Sequence, residues 1–280
     1  MDLQLKGKRA LVTGSSSGIG TGIAETLAAE GAVVVVHGRD AGRCEAAAAA
    51  IRKAGGTAHV ALGDLATEAG CNAVGDTIMN SVGGIDILVN NAGGRACSHR
   101  QDGLAGPMNA GWLDIPWSDW LWTFEQNVGA AVRLLHRFVP GMKDRKWGRV
   151  INISSAAATQ TEPDLAEYQA VKAALVNMSS SLAKTLAHTG ITVNTVSPGA
   201  ILTPAVVKTF TEVARQMGWD PDNWDEIERR FTTELIPISS DHFGEPGDIG
   251  RMVALLASPL SSYMTGANYR IDGGQCRSVN

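Results

Sequence analysis

Short, β-branched runs alternate with longer helical patterns along this chain, and that alternation limits the available folds more than any other feature. RALVT (9–13), AVVVVH (32–37), residues 57–62, IDILVN (85–90), GRVINIS (148–154), ITVNTVS (191–197) and ANYRID (267–272) read as seven strands. Their nearly continuous apolar character suits strands covered on both faces, as in parallel sheets. Helical patterns fill 19–30, 44–55, 67–81, 117–140, 165–188 and 247–257. Alternation of this kind means βαβ units, and the right-handed crossover rule fixes most of their topology. The expectation is one α/β domain over residues 1–280: a doubly wound, seven-stranded parallel sheet with helices on both faces.

Composition excludes several partners. The net charge is −4 and no Lys/Arg tract stands out, which argues against nucleic acid or an anionic membrane surface. No apolar run approaches the ~18 residues that span a bilayer, and MDLQLKGKRALVTG lacks a secretory pattern. A cytoplasmic location is the resulting expectation. Cys44, Cys71, Cys97 and Cys276 are scattered, with no C-x-x-C, so neither zinc nor a disulfide framework is expected. His37, His59 and the other histidines read as ordinary residues, and no metal site is expected. Two stretches lack periodicity. Residues 94–116 read as a long loop, and 203–245, with helical pieces, as a mobile lid over a substrate.

ALVTGSSSGIGTGIAETLA sets Gly14, Gly18 and Gly20 directly after the first strand, opening a helix. Glycines there allow a tight turn and close approach of a pyrophosphate, while the helix amino end offers free N–H groups and a positive dipole. A dinucleotide is the expected ligand. The second strand ends in Gly38 and Arg39 where NAD-selective folds place an acidic residue. A guanidinium there suits a 2′-phosphate and favours NADP(H). Asp40 follows at once and could instead hold the ribose of NAD(H) or neutralise Arg39. Asp64 and Leu65, closing the third strand, could bracket an adenine.

Ser154 and Ser155 lie just beyond the fifth strand, and Tyr168 and Lys172 follow on the next helix, four residues apart and so on one face. Carbonyl reduction would use these groups. A tyrosine with a pKa near 10 is a competent donor but a poor acceptor at neutral pH, and a neighbouring ammonium favours its ionised form. A serine hydroxyl would polarise and fix the carbonyl.

Taken together, T-G-x-x-x-G-x-G (Thr13–Gly20), N-N-A-G (Asn90–Gly93), S-x12-Y-x3-K (Ser155, Tyr168, Lys172) and P-G-x-x-x-T (Pro198–Thr203) resemble the short-chain dehydrogenase/reductase family, 3-oxoacyl-carrier-protein reductases in particular. The resemblance covers nearly the whole chain. It implies a Rossmann-type sheet, Tyr168 as general acid/base, and Lys172 lowering its pKa and binding the nicotinamide ribose. It implies Ser155 as the substrate-orienting serine, and an Asn127 carbonyl holding a water that links Lys172 to solvent. Gly14, Ser15, Ser16, Ser17, Gly18, Ile19, Gly20, Arg39, Asp64, Leu65, Asn90, Ala92, Gly93, Pro198, Gly199, Ile201 and Thr203 fall on motif or cofactor positions. The implied protein is a homotetrameric, NADP(H)-dependent oxidoreductase acting on a small-molecule ketone or alcohol, such as a 3-oxoacyl thioester or small cyclic ketone. An NAD-linked polyol or hydroxy-acid dehydrogenase and a non-catalytic redox sensor of the same fold are the alternatives.

The chain departs from the family between Gly93 and Asn127, which is longer than usual and carries Trp112, Trp117, Trp120 and Trp122. Positions 117, 120, 121, 124, 128 and 131 fall at helical spacing and read as packing or subunit contact. Trp112, His99 or Arg100 are freer to face a substrate. Arg95 and Arg100 would suit an anionic one, although solvated charge is the simpler reading. Trp219 and Trp224 could cap the pocket on closure.

Overall fold

In the computed structural model, residues 1–95 and 111–278 are described. Seven strands form one parallel sheet: β1 (Arg9–Val12), β2 (Val33–Gly38), β3 (Thr57–Leu62), β4 (Ile87–Asn90), β5 (Gly148–Ile153), β6 (Ile191–Pro198) and β7 (Asn268–Ile271). Their spatial order is β3-β2-β1-β4-β5-β6-β7. The chain winds outward from β1 through β3, then returns to place β4 on the other side of β1. That reversal opens a crevice beyond the carboxyl ends of β1 and β4, where open α/β sheets bind ligands.

The helices are α1 (Gly18–Ala29), α2 (Ala41–Lys53), α3 (Glu68–Val82), α4 (Trp117–Phe124), α5 (Ala130–Asp144), α6 (Ala166–Thr185), α7 (Pro204–Gln216), α8 (Trp224–Arg230) and α9 (Pro246–Ala257). Side chains alternate across the sheet, so one core gathers Val12, Val34, Val36, Val89 and Ile151 against α1 and α9. The other gathers Leu11, Val35, Leu88, Val150 and Val193 against α3 and α5. This is why the strands read as unbroken apolar runs: both pleat faces are covered.

Element ends shift from the expected bounds where capping decides them. The second helix begins at Ala41, not 44, because the Asp40 carboxylate accepts the Arg43 N–H at 2.9 Å and caps it. The helix expected over 117–140 is interrupted by a π-helical turn at Glu125–Gly129 and then runs on to Asp144, with Pro140 inside it. Its apolar stripe divides accordingly. Val128 and Ala131 pack on Val171 and Leu175 of α6, whereas Trp117, Leu121 and Phe124 are exposed.

The segment 203–245 is less irregular than expected. It has α7, α8, a second π-helical turn at Phe231–Leu235, and a core of Ala214, Ile227, Phe231, Ile238 and Phe243. Trp219 sits edge-on to Phe231 at 5.8 Å and Trp224 lies 6.4 Å from Phe243. Both rings pack, partly buried, against this small core. Most of the expected loop 94–116, with His99 and Arg100, lies outside the described residues.

Candidate active site

At the crevice, a cavity of ≈ 500 Å³ is lined by the glycine loop, the ends of β2 and β3, and Asn91, Ala92 and Gly93. Gly20 shows why the loop must lack side chains: a Cβ there would stand 2.4 Å from the Gly14 carbonyl oxygen. Ser17, the N-cap of α1, makes no side-chain capping bond, so the first N–H groups of that helix face the cavity without an internal side-chain partner.

The loop is pinned from beneath. Ser15 is fully buried, and its hydroxyl donates to the Val12 carbonyl and accepts the His37 N–H. The Gly14 N–H donates to His37 Nδ1 at 3.1 Å, while Nε2 lies 3.1 Å from the Gly63 carbonyl. This arrangement requires the neutral tautomer with its proton on Nε2. Burial lowers the pKa of His37 to about 4 and keeps it neutral. His37, read from the sequence as ordinary, is thus a strut joining the loop to β2 and β3. Its partners are distant in sequence, and only the fold brings them together.

Ser16, Ser17, Gly18, Ile19, Arg39, Asp64, Leu65 and Thr203 line the cavity as expected, and Arg43, Trp122 and Gln126 join them. Asp40 does not line it. Its carboxylate serves the amino end of α2, with Arg43 Nε at 3.5 Å. The acid that clouded the reading of Arg39 is thus engaged elsewhere, and Arg43 adds a second guanidinium at the same end. A cavity of this size beside an uncapped helix amino end fits a dinucleotide, and two guanidiniums line it.

Asn90, Pro198, Gly199 and Ile201 do not line this cavity. Asn90 turns its amide to Asn152 at 2.8 Å, and Asn91 lines the cavity instead. The Thr13 hydroxyl accepts the N–H groups of Asn91 and Ala92. Ile201 is buried and, with Gly244, forms a lone β-bridge beside a different cavity; Pro198 ends β6 and Gly199 continues past it.

Beside Gly93 stands the second half of the site. A Cβ on Gly93 would lie 2.2 Å from Asn127 Oδ1 and 3.5 Å from Lys172 Nζ, so this glycine lets both groups reach the cavity wall. Lys172 Nζ donates to the Ile153 carbonyl at 3.0 Å and sits 5.5 Å from the centre of the Tyr168 ring. Burial lowers its pKa to about 8. Ser155 accepts the Ala157 N–H at 3.2 Å and lies close enough to the Tyr168 phenol to favour its ionised form. Burial pushes its pKa up, with Ser155 and the charge of Arg95 opposing. The lowering expected from Lys172 is therefore not the net outcome in the protein alone, because loss of hydration outweighs the favourable charges.

The π-helical turn aims the Asn127 side chain at the β4 loop. Nδ2 donates to the Gly94 carbonyl at 2.9 Å and Oδ1 accepts the Gly94 N–H at 3.3 Å. Arg95, the next residue, is neither solvated nor open to an anionic substrate: its Nε donates to Glu167 Oε1 at 2.8 Å, both side chains largely buried. That corrects both readings of Arg95. Trp112 faces a groove shared with Trp120, Ala157 and Gln169, away from the glycine loop.

Fold and site together define a dinucleotide-binding oxidoreductase. The sequence profile of the short chain dehydrogenase family matches residues 8–214, and the chain belongs to that family. It is 38% identical to the uncharacterized oxidoreductase YvaG of Bacillus subtilis, covering 100% of both chains. It is 34% identical to the 3-oxoacyl-[acyl-carrier-protein] reductase of Aquifex aeolicus, covering 98% of this chain and 99% of that one. Among solved structures it matches the L-sorbose reductase from Gluconobacter frateurii, complexed with NADPH and L-sorbose, with a TM-score of 0.89, 35% identity and 100% of both chains covered. Among the described residues no helix is long and apolar enough to cross a membrane.

Proposed function

We propose that this chain is an NADP(H)-dependent oxidoreductase interconverting a ketone and a secondary alcohol. One observation carries the reading: Tyr168 and Lys172 stand together behind Gly93, which lines a cavity that Arg39 and Arg43 also line, with Asp40 engaged as a helix cap. NADPH, when bound, supplies the hydride that reaches the carbonyl carbon. Tyr168 gives its phenolic proton to the carbonyl oxygen, and Ser155 fixes and polarises that oxygen. Lys172, held by the Ile153 carbonyl, favours the phenolate that remains. The glycine-loop amides and α1 would hold the pyrophosphate, and Arg39 and Arg43 the 2′-phosphate.

The relatives support ketones of two kinds, a 3-oxoacyl thioester and a polyhydroxy ketone, through the reductases of Aquifex aeolicus and Gluconobacter frateurii. Assembly as a homotetramer follows from the resemblance, and the exposed Trp117, Leu121 and Phe124 supply apolar surface for it. Tyr168→Phe is expected to abolish ketone-dependent NADPH oxidation while NADPH still binds with its normal fluorescence change. Turnover within tenfold of the parent would remove the mechanism.

A further inference from the structure

We propose that residues 272–277, which follow β7, form a strap that holds the turn bearing Ser155 at a fixed spacing from the loop after β6, with Gln275 and Gln160 as positioning residues for the carbonyl. This rests on the reading of Ser155 as the residue that fixes the substrate oxygen.

The two parts it joins separate where the sheet ends. The Ser154 N–H donates to the Val196 carbonyl at 2.8 Å, but Pro198 has no N–H with which to continue the ladder. Beyond that point, among the described residues, no hydrogen bond joins residues 155–160 directly to residues 199–203. Ser155 caps the short turn Ala156–Ala158 on one side. On the other, the loop leads to Thr203, which lines the nucleotide cavity.

The tail after β7 is shaped to bridge them. The buried Asp272 carboxylate accepts the N–H groups of Gly274 at 3.1 Å and Cys276 at 2.9 Å, which folds the chain back. Gly273 and Gly274 have φ of 59° and 80°, in the left-handed region, and a Cβ on either would strike Ser240 or Ser239. Toward β6, Gln275 Oε1 accepts the Ala200 N–H at 2.9 Å. Gly199 makes room for this approach: a Cβ there would lie 2.8 Å from that oxygen and 2.7 Å from Asp272 Cα. Toward the serine turn, the Arg277 N–H donates to Gln160 Oε1 at 3.0 Å. The buried Cys276 thiol donates to the carbonyl of Ala156, the residue next to Ser155, at 3.5 Å. One short segment thus grips both sides, so a shift on one is passed to the other. The spacing matters because a misplacement of about 1 Å at reacting groups can cost on the order of a hundredfold in rate.

Gln275→Met keeps the side-chain length and removes the acceptor, whereas Gln275→Glu keeps an acceptor oxygen. The first readout is amide hydrogen exchange by mass spectrometry on the protein without cofactor. Gln275→Met is expected to speed exchange roughly threefold to tenfold in peptides covering 156–160, on the far side of the strap, the factor that follows from losing one hydrogen bond. Gln160→Met should do the reverse, loosening peptides covering 199–203 by a similar factor. Gln275→Glu should stay near the parent. The second readout is the rate of NADPH-linked L-sorbose reduction per bound NADPH, which is blind to unfolded chains. It is expected to fall about tenfold or more in Gln275→Met, with NADPH affinity within about threefold, and to recover in Gln275→Glu. Exchange that changes only on the mutated side, or equally in Gln275→Glu, overturns the strap. An unchanged rate per bound NADPH overturns its role in positioning. Exchange needs no turnover, so a parent inactive on L-sorbose would fault the substrate class and not the strap.

Discussion

Acid should weaken this fold through His37, and the size of the effect can be worked out. The imidazole is 3 % exposed, and its two nitrogens are committed to the Gly14 N–H and the Gly63 carbonyl. Its folded pKa is depressed to about 4 from the ordinary value of 6.5. Between those values the unfolded chain binds a proton that the native protein refuses, so this contribution is complete above pH 6.5 and is lost as pH falls toward 4. Two and a half units correspond to at most about 3.4 kcal/mol, of which about 1.8 kcal/mol is lost between pH 7 and pH 5. The assay is urea unfolding at pH 7, 6 and 5, comparing the parent with His37→Gln. The variant starts less stable, because an amide cannot span both contacts. Its stability should nevertheless fall less with pH, by roughly 1–2 kcal/mol over the window. Asp86 does not confuse the comparison: its pKa is lowered from 3.8, so it titrates below the window. Parallel slopes for parent and variant would refute the assignment of His37 as a neutral strut.

Three further outcomes follow from the site. Gly20→Ala forces a Cβ to 2.4 Å from the Gly14 oxygen, so NADPH affinity by fluorescence titration should fall more than about tenfold while the fold persists. Arg39→Ala and Arg43→Ala should each lower the NADPH/NADH preference in kcat/KM by roughly 10–100-fold, the worth of a charged hydrogen bond, and an unchanged ratio in both would show that neither holds the 2′-phosphate. Asn127→Ala leaves Gly94 without its clamp; thermal unfolding should report a loss of about 1–3 kcal/mol, with kcat reduced beyond what the stability change accounts for.

The sheet, its order of crossing and the glycine loop were legible because each rests on local pattern: apolar runs bounded by turn residues, and helices that announce their starts. The proximity of Tyr168 and Lys172 was legible because a four-residue spacing on a helix fixes it in space. The cofactor end was half legible. Arg39 and Asp40 adjoin in sequence, yet only the N-cap bond to Arg43 reveals which charge faces the cavity. His37 and Arg95 were not legible at all. Each depends on a partner 23 to 72 residues away, and neither sits in a periodic pattern that would mark it as buried. The small core that Trp219 and Trp224 pack against was not legible for a related reason: a core inside a connecting segment has the same composition as a lid's inner face.

The height of α6 above the sheet is what turns a spacing in sequence into a site. Asn90 and Asn152 stand opposite each other on β4 and β5, and Thr195 stands opposite Asn152 on β6. From this row Asn152 donates to the Ser179 hydroxyl on α6 at 2.7 Å. Two turns nearer the site, the Ser154 hydroxyl donates to the Lys172 carbonyl at 2.8 Å, and the Lys172 ammonium returns to the Ile153 carbonyl. Three bonds along one strand–helix seam set a single register. Sliding the helix by one turn, about 5.4 Å, would break all of them at once and leave buried polar groups unpaired. An apolar seam would hold α6 as firmly against the sheet but would tolerate such a slip. Polar groups on β5, costly to bury, are therefore explained by the precision they impose on where Tyr168 stands relative to Gly93 and the glycine loop.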